Sequence, residues 1–267
     1  MDAQKLEGQA TQLRNTGKGY EAVAVYQQAK AAYKAQGELA KAAGCQHMVG
    51  VSYKIEHDLP KALPAYEHAI AEYQQAKDLL GPGRVERDMG IMFEYHDRFK
   101  EAESHLLKSK QLLQAASQSP ERDAELGITL AKLGLLYTRM GEFQKVEAPL
   151  FEGLGLIRKV GHPFYEMTAL LHVGGYYLAT NHPGPGLANL EACLGLIYEY
   201  HMQHGQTRRL AQIWGLMAHA YLAYGNKVTA KHFAKKAIAV IGQLSPTAQT
   251  PLQKDIHIST LKEELSL

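Results

Sequence analysis

Apolar and small residues recur along this chain at i, i+3, i+4 and i+7, the spacing of one helix face. The clearest stretch runs from Leu130 to Tyr137, where Leu130, Leu133, Gly134 and Tyr137 share a face. A glycine in that row marks where a neighbouring helix comes close. Val146, Leu150 and Gly153 then give a second helix its own stripe, so the unit is a pair of helices, A and B.

Six such pairs align by hand. The first has Leu6, Ala10 and Leu13, then Ala22, Tyr26 and Ala29; the second has Val49, Gly50 and Tyr53, then Ala62, Tyr66 and Ala69. The third has Met89, Gly90 and Phe93, then Ala102, Leu106 and Ser109. The stretch at Leu130 is the fourth. The fifth has Leu170, Val173, Gly174 and Tyr177, then Gly186, Leu190 and Cys193; the sixth has Trp214, Met217, Ala218 and Tyr221, then Ala230, Ala234 and Ala237. The register marks Ala22, Ala62, Ala102, Val146, Gly186 and Ala230 are spaced by 40, 40, 44, 40 and 44 residues. An insertion of four is about one helical turn, so it lengthens a helix and leaves the buried faces aligned.

Turn residues fall where this register needs them. Asn15 to Gly19, Glu56 to Pro60, His96 to Arg98 and Met140 to Glu142 sit within pairs, and Asn181 to Gly186 is the most irregular of these junctions, with helix B expected from Pro185. Gly81-Pro82-Gly83 and Ser117 to Glu121 read as breaks between pairs, the second opening a helix with a hydroxyl cap and proline. Ser245-Pro246-Thr247 breaks the chain again. A last amphipathic helix, over about 250–265, then covers the end of the array with Leu252, Ile256, Leu261 and Leu265.

The order large, large, small, aromatic, then small, large, small after a turn resembles the tetratricopeptide repeat (TPR) over residues 3–243. Trp214-x2-Met217-Ala218-x2-Tyr221 followed by Ala230 is the nearest match. The repeats here are longer than the usual ~34 residues. In length they are similar to those of kinesin light chains, the Leu-Gly-Asn polarity adaptors and bacterial peptide- or sugar-sensing regulators. The resemblance implies an all-α, right-handed superhelical solenoid: six helix-turn-helix repeats (about 3–40, 41–80, 82–118, 120–161, 163–205 and 206–244) plus the C-terminal capping helix, in one domain spanning 1–267.

A net charge of +2 gives no global attraction for nucleic acid or an anionic membrane, and neither is expected as a partner. No run of apolar residues is long enough for a membrane span, and the amino terminus lacks the pattern of a signal peptide. The two cysteines, Cys45 and Cys193, have no paired spacing and read as small buried hydrophobes, which suits the cytoplasm.

Signatures of catalysis are missing from the sequence: no P-loop, dinucleotide fingerprint, nucleophile elbow or zinc-protease helix. Gly153-Leu154-Gly155 lies inside a helical repeat and reads as packing. His201 and His204, or His172 and His219, could share a ligand, but neither pair brings a carboxylate or cysteine at metal-ligand spacing. Glu101 and Glu103 point to different helix faces. No enzyme activity, cofactor or metal is expected.

In proteins of the resembled kind, side chains of the A helices line a concave face. The register assigns to that face His47 and Lys54 from repeat two, Arg84, Arg87 and Ile91 from repeat three, and Leu135 from repeat four. Leu171 and Leu178 follow from repeat five, and His219 and Leu222 from repeat six. The row runs from mildly basic to apolar, which suits a guest with an acidic end and an apolar helix or tail. The lysine and asparagine positions that hold chaperone tails in some tetratricopeptide modules are not matched. The expected role is a scaffold that binds a peptide or amphipathic helix of another protein. The alternative is a regulatory domain sensing a small molecule or signalling peptide, and homodimerisation is left open.

Overall fold

The computed structural model describes residues 2–204, 207–243, 249, 252–253 and 256–267, without the side chains of residues 199–208. Every regular element among them is helical. The chain divides into two compact units, residues 1–126 and 127–267.

Unit 1 contains three A/B pairs: α1 (Ala3–Asn15) with α2 (Gly19–Ala35), α3 (Leu39–Ile55) with α4 (Leu59–Gln75), and α5 (Gly81–Tyr95) with α6 (Phe99–Ala115). It ends in the first turns of α7 (Pro120–Met140). Unit 2 holds the rest of α7, which pairs through a 3-10 turn at Phe143–Lys145 with α8 (Glu147–Val160). Then come α9 (Pro163–Ala179) with α10 (Pro183–His204), and α11 (Thr207–Ala223) with α12 (Lys227–Ile241). The terminal helix α13 (Ile258–Leu265) packs on α12 and α11. All six expected pairs are present, and the architecture is an all-α helical repeat. The extra four residues lengthen helices as expected: α7 has 21 residues and α10 has 22, against 17 in α3, α4 and α9.

Four of the pairs share one close contact. A side-chain carbon added at Gly50 would lie 2.6 Å from the Tyr66 ring; at Gly90, Gly134 and Gly174 it would lie 2.8, 2.7 and 2.8 Å from Leu106, Leu150 and Leu190. The large partner always stands sixteen residues beyond the glycine. In the first and last pairs the same offset joins Ala10 to Tyr26 and Ala218 to Ala234, all fully buried. Glycine permits the two backbones to approach, and the partner side chain fills the space a Cβ would have taken.

Turn chemistry keeps the same register. Gly17, His57, Asp97, Gly141, Asn181 and Gly225 all have left-handed backbones, with φ of 79°, 57°, 57°, 74°, 60° and 74°. Their spacing repeats that of the register marks. Such a residue satisfies the last carbonyls of an A helix and turns the chain into B. Ser119 caps α7 through Arg122 N at 3.1 Å, as its sequence implies.

Three boundaries differ from the sequence reading. Gly81-Pro82-Gly83 is the buried first turn of α5, because proline is tolerated at a helix start and the glycines admit Tyr73 and Leu113. Helix α10 begins at Pro183, because Asn181 already completes the turn. The expected helix over 250–265 is interrupted rather than continuous: Leu252 and Gln253 are helical, His257 takes a left-handed backbone (φ 46°), and α13 follows from Ile258; residues 250–251 and 254–255 lie outside the described residues. The break at Ser245-Pro246-Thr247 lies outside the described residues.

These contacts separate two kinds of glycine. Gly50→Ala should destabilise unit 1 by about 1–3 kcal/mol through overpacking against Tyr66. Gly155→Ala, with nothing within 4 Å of the added carbon, should stabilise α8 by about 0.5–1 kcal/mol. Urea unfolding of the two variants checks the opposite signs.

Candidate functional site

The A helices of unit 1 carry a ladder of ion pairs one repeat apart. On α3, His47 Nε2 lies 2.9 Å from Asp88 Oδ2 and Lys54 Nζ lies 2.7 Å from Asp88 Oδ1. His47 and Lys54 are two helical turns apart, so they bracket one carboxylate on α5. On α5, Arg84 Nε donates to Glu125 Oε1 at 2.8 Å, and Arg87 Nη1 donates to Glu125 Oε2. Burial pushes the Asp88 carboxyl up, but Lys54, His47 and Arg87 outweigh it and hold the group well below the usual carboxylate range. Glu125 is likewise pushed up by burial and drawn below its ordinary value by Arg87 and Arg84.

The sequence-predicted residues therefore fall into groups. His47 and Lys54 meet at Asp88, and Arg84 and Arg87 meet at Glu125. Ile91 on α5 is half-buried, as are Leu135 on α7 and Leu178 on α9, while Leu171 is buried. His219 Nε2 lies 2.8 Å from the Ile256 carbonyl, and Leu222 packs in the terminal cluster with Leu252, Ile256, Leu261 and Leu265. In unit 2, then, the row's last members face the chain's own C-terminal segment.

Asp88 and Glu125 escaped the sequence projection, which followed one helix face at a time. The signal that could have found them is opposite charge at offsets of 34 to 41 residues, about one repeat. His172 is the other residue whose setting the sequence did not show. It is buried, and its Nε2 has no hydrogen-bond partner. Burial, with Lys132 and Arg209 nearby, holds the ring well below the ordinary histidine value. His219 stands in a different setting, so the His172/His219 pairing of the sequence reading gains no shared partner. The side chains of His201 and His204 lie outside the described residues.

Both cysteines are free and buried, and burial pushes each thiol up to about 12. Neither is a nucleophile at neutral pH. No group of three or more metal-ligating side chains occurs among the described residues. No described helix is long and apolar enough to cross a membrane.

No protein-family model matches the chain, and no curated protein matches it. Solved structures do. BtubC from P. vanneervenii aligns with a TM-score of 0.64 at 12% identity, covering 92% of this chain and 94% of that one. A Rap protein complexed with competence and sporulation factor aligns at 0.67 and 12% identity, covering 99% and 72%. An assembly chaperone of RpL4 (Acl4) aligns at 0.50 and 15% identity, covering 100% and 99%. These neighbours are TPR-like repeat proteins, and at such identities the likeness shows the fold: a TPR-like helical repeat.

The ladder fixes a pH dependence. Asp88 and Glu125 titrate lower folded than unfolded. Their contribution is complete above the unfolded carboxylate range, about pH 4, and drains as pH falls through the folded values. Asp88→Asn should cost about 3 kcal/mol at neutral pH by leaving the Lys54 ammonium without its carboxylate. In urea unfolding from pH 6 to pH 3, the variant should lose less further stability than the native chain.

Proposed function

We propose that the protein is a non-enzymatic scaffold that takes a peptide or amphipathic helix of a protein partner along its A-helix side chains. The observation that carries this reading is the braced row in unit 1. Asp88 and Glu125 hold His47, Lys54, Arg84 and Arg87 in fixed positions, so little side-chain freedom is lost when a guest arrives. Arg84 spends its Nε on Glu125, yet its side chain is still 30% exposed. A guanidinium carries five N–H donors, so it can also serve an acidic group on a guest. Half-buried Ile91 offers an apolar contact on the same helix. The Rap neighbour, solved with competence and sporulation factor, and the assembly-chaperone neighbour support this reading by analogy of fold. Two free, buried thiols fit a reducing compartment, and we place the protein in the cytoplasm.

A second reading, sensing of a small ligand, is favoured by one observation: the unpartnered buried nitrogen of His172.

Native mass spectrometry of the protein purified from its own source separates the two. Arg84→Ala is the variant of choice, since reversing both arginines would set two new acids against Glu125. The scaffold reading expects a bound polypeptide whose occupancy falls about tenfold in Arg84→Ala. A small bound mass retained in both proteins supports sensing instead. A bare chain in both contradicts the two readings together.

A further inference from the structure

Two residues before its register mark, a B helix can meet the turn of the following repeat. Tyr20 stands there in α2, and its hydroxyl donates to Asp58 Oδ2 at 3.0 Å, just before α4. Gly184 stands there in α10, and a carbon added to it would lie 2.8 Å from the Tyr224 hydroxyl, just before α12. Farther along α2, Lys30 and Lys34 pair with Glu72 of α4 at 2.9 and 2.8 Å. The forward side of α2 thus takes carboxylates from the next B helix and its turn.

The forward side of α12 has no such cover. Lys231 on α12 donates to the Leu265 and Ser266 carbonyls at the end of α13, at 3.1 and 3.4 Å. The end of α3 meets the start of α2 in the same way, where Gly19 N donates to Glu56 Oε1 at 2.6 Å. So α13 takes the place of a seventh A helix, and no B helix lies beyond it among the described residues. Val228, two residues before Ala230, is 83% exposed. Helix α12 carries Lys227, Lys231, Lys235 and Lys236 and no acid. Lys236 lies over the Trp214 ring, 5.3 Å from its centre. The other three recur every four residues, so they share a face with about 6 Å between them along the axis. Among the described residues no carboxylate pairs with these three. Beside them, Val228 and Leu265 help to wall a hollow of about 320 Å³, which Glu264 and Ser266 also line.

We propose that this face of α12 docks an acidic amphipathic helix of a partner protein, laid where a following B helix would stand. Acids at i, i+4 and i+8 of the guest match the spacing of Lys227, Lys231 and Lys235, as Glu72 serves Lys30 and Lys34 in unit 1. An apolar side chain between them covers Val228 and enters the hollow. Glu264 argues against a phosphate-bearing guest, because its carboxylate would oppose one at the hollow. The face shares no residue with the A-helix row, so its failure would leave the test at Arg84 unaffected.

The experiment uses the full chain and isothermal calorimetry at constant ionic strength. The probe is a helical 18-residue peptide with three glutamates four residues apart and leucines beside them. Its glutamine counterpart and a DNA duplex are compared with it. One glutamate peptide is expected to bind per chain, and the glutamine peptide about tenfold more weakly. Lys235→Glu and Val228→Asp should each weaken binding about fivefold or more. Both side chains are exposed, so circular dichroism and the urea midpoint should stay as in the native chain. Lys5→Glu, the same charge change at an exposed position on α1, should alter affinity by less than about twofold. Absence of saturable binding overturns the proposal. So does equal binding of the two peptides, or affinity undiminished by both α12 substitutions. DNA binding tighter than the peptide would make the face a nucleic-acid surface and overturn the assignment. Dimerisation that Val228→Asp abolishes, seen by sedimentation without peptide, would assign the face to a second copy and overturn it too.

Discussion

A helix pair in this chain closes where the A helix offers little or no side chain to its partner. At Gly50, Gly90, Gly134 and Gly174 the space a Cβ would need is already filled by Tyr66, Leu106, Leu150 and Leu190. Because the partner always lies sixteen residues on, the contact fixes both the crossing of the two helices and the length of chain between them. The left-handed turn residue must then fall at one place in each pair, and it does, from Gly17 through Gly225. Packing density sets the tolerance, since an interior already close-packed cannot absorb one further carbon without moving backbone.

That constraint decides what the A helices can present. With one stripe committed to the B helix, an adjacent stripe meets the A helix of the next repeat. In unit 1 it carries cations and carboxylates one repeat apart, and burial makes each pair depend on its partner's charge. In unit 2 the corresponding positions carry no acid, and the row ends against the C-terminal segment at His219 and Leu222. One repeat geometry therefore supports two different surfaces, distinguished only by the side chains in a few equivalent slots.

Most of the architecture was legible because it rests on local periodicity. The Gly174 and Tyr177 stripe, the four-residue insertions and the cap at Ser119 each follow from spacing within one helix or turn. Gly81-Pro82-Gly83 misled, because the same residues that break a helix also begin one when a bulky neighbour such as Tyr73 needs room. The candidate site was less legible. His47, Lys54, Arg84 and Arg87 were found as one face, but a face says nothing of what lies opposite it. Asp88 and Glu125 are brought there by stacking of repeats, an interaction between residues far apart in sequence. In the sequence His172 stood only as a possible partner of His219, and its burial and unpartnered nitrogen set it apart.

The central claim, that the four middle pairs are each locked by a glycine against one large side chain, is tested most directly by a double-mutant cycle at Gly174 and Leu190. An added carbon at Gly174 meets Leu190 at 2.8 and 2.9 Å and nothing else closer than 3.4 Å. Stabilities from urea unfolding of the native chain, Gly174→Ala, Leu190→Ala and the double variant give the coupling. The account expects the alanine at 174 to be costly beside leucine and nearly harmless or stabilising beside alanine, with a coupling of about 1–3 kcal/mol. Effects that add to within about 0.5 kcal/mol would contradict it.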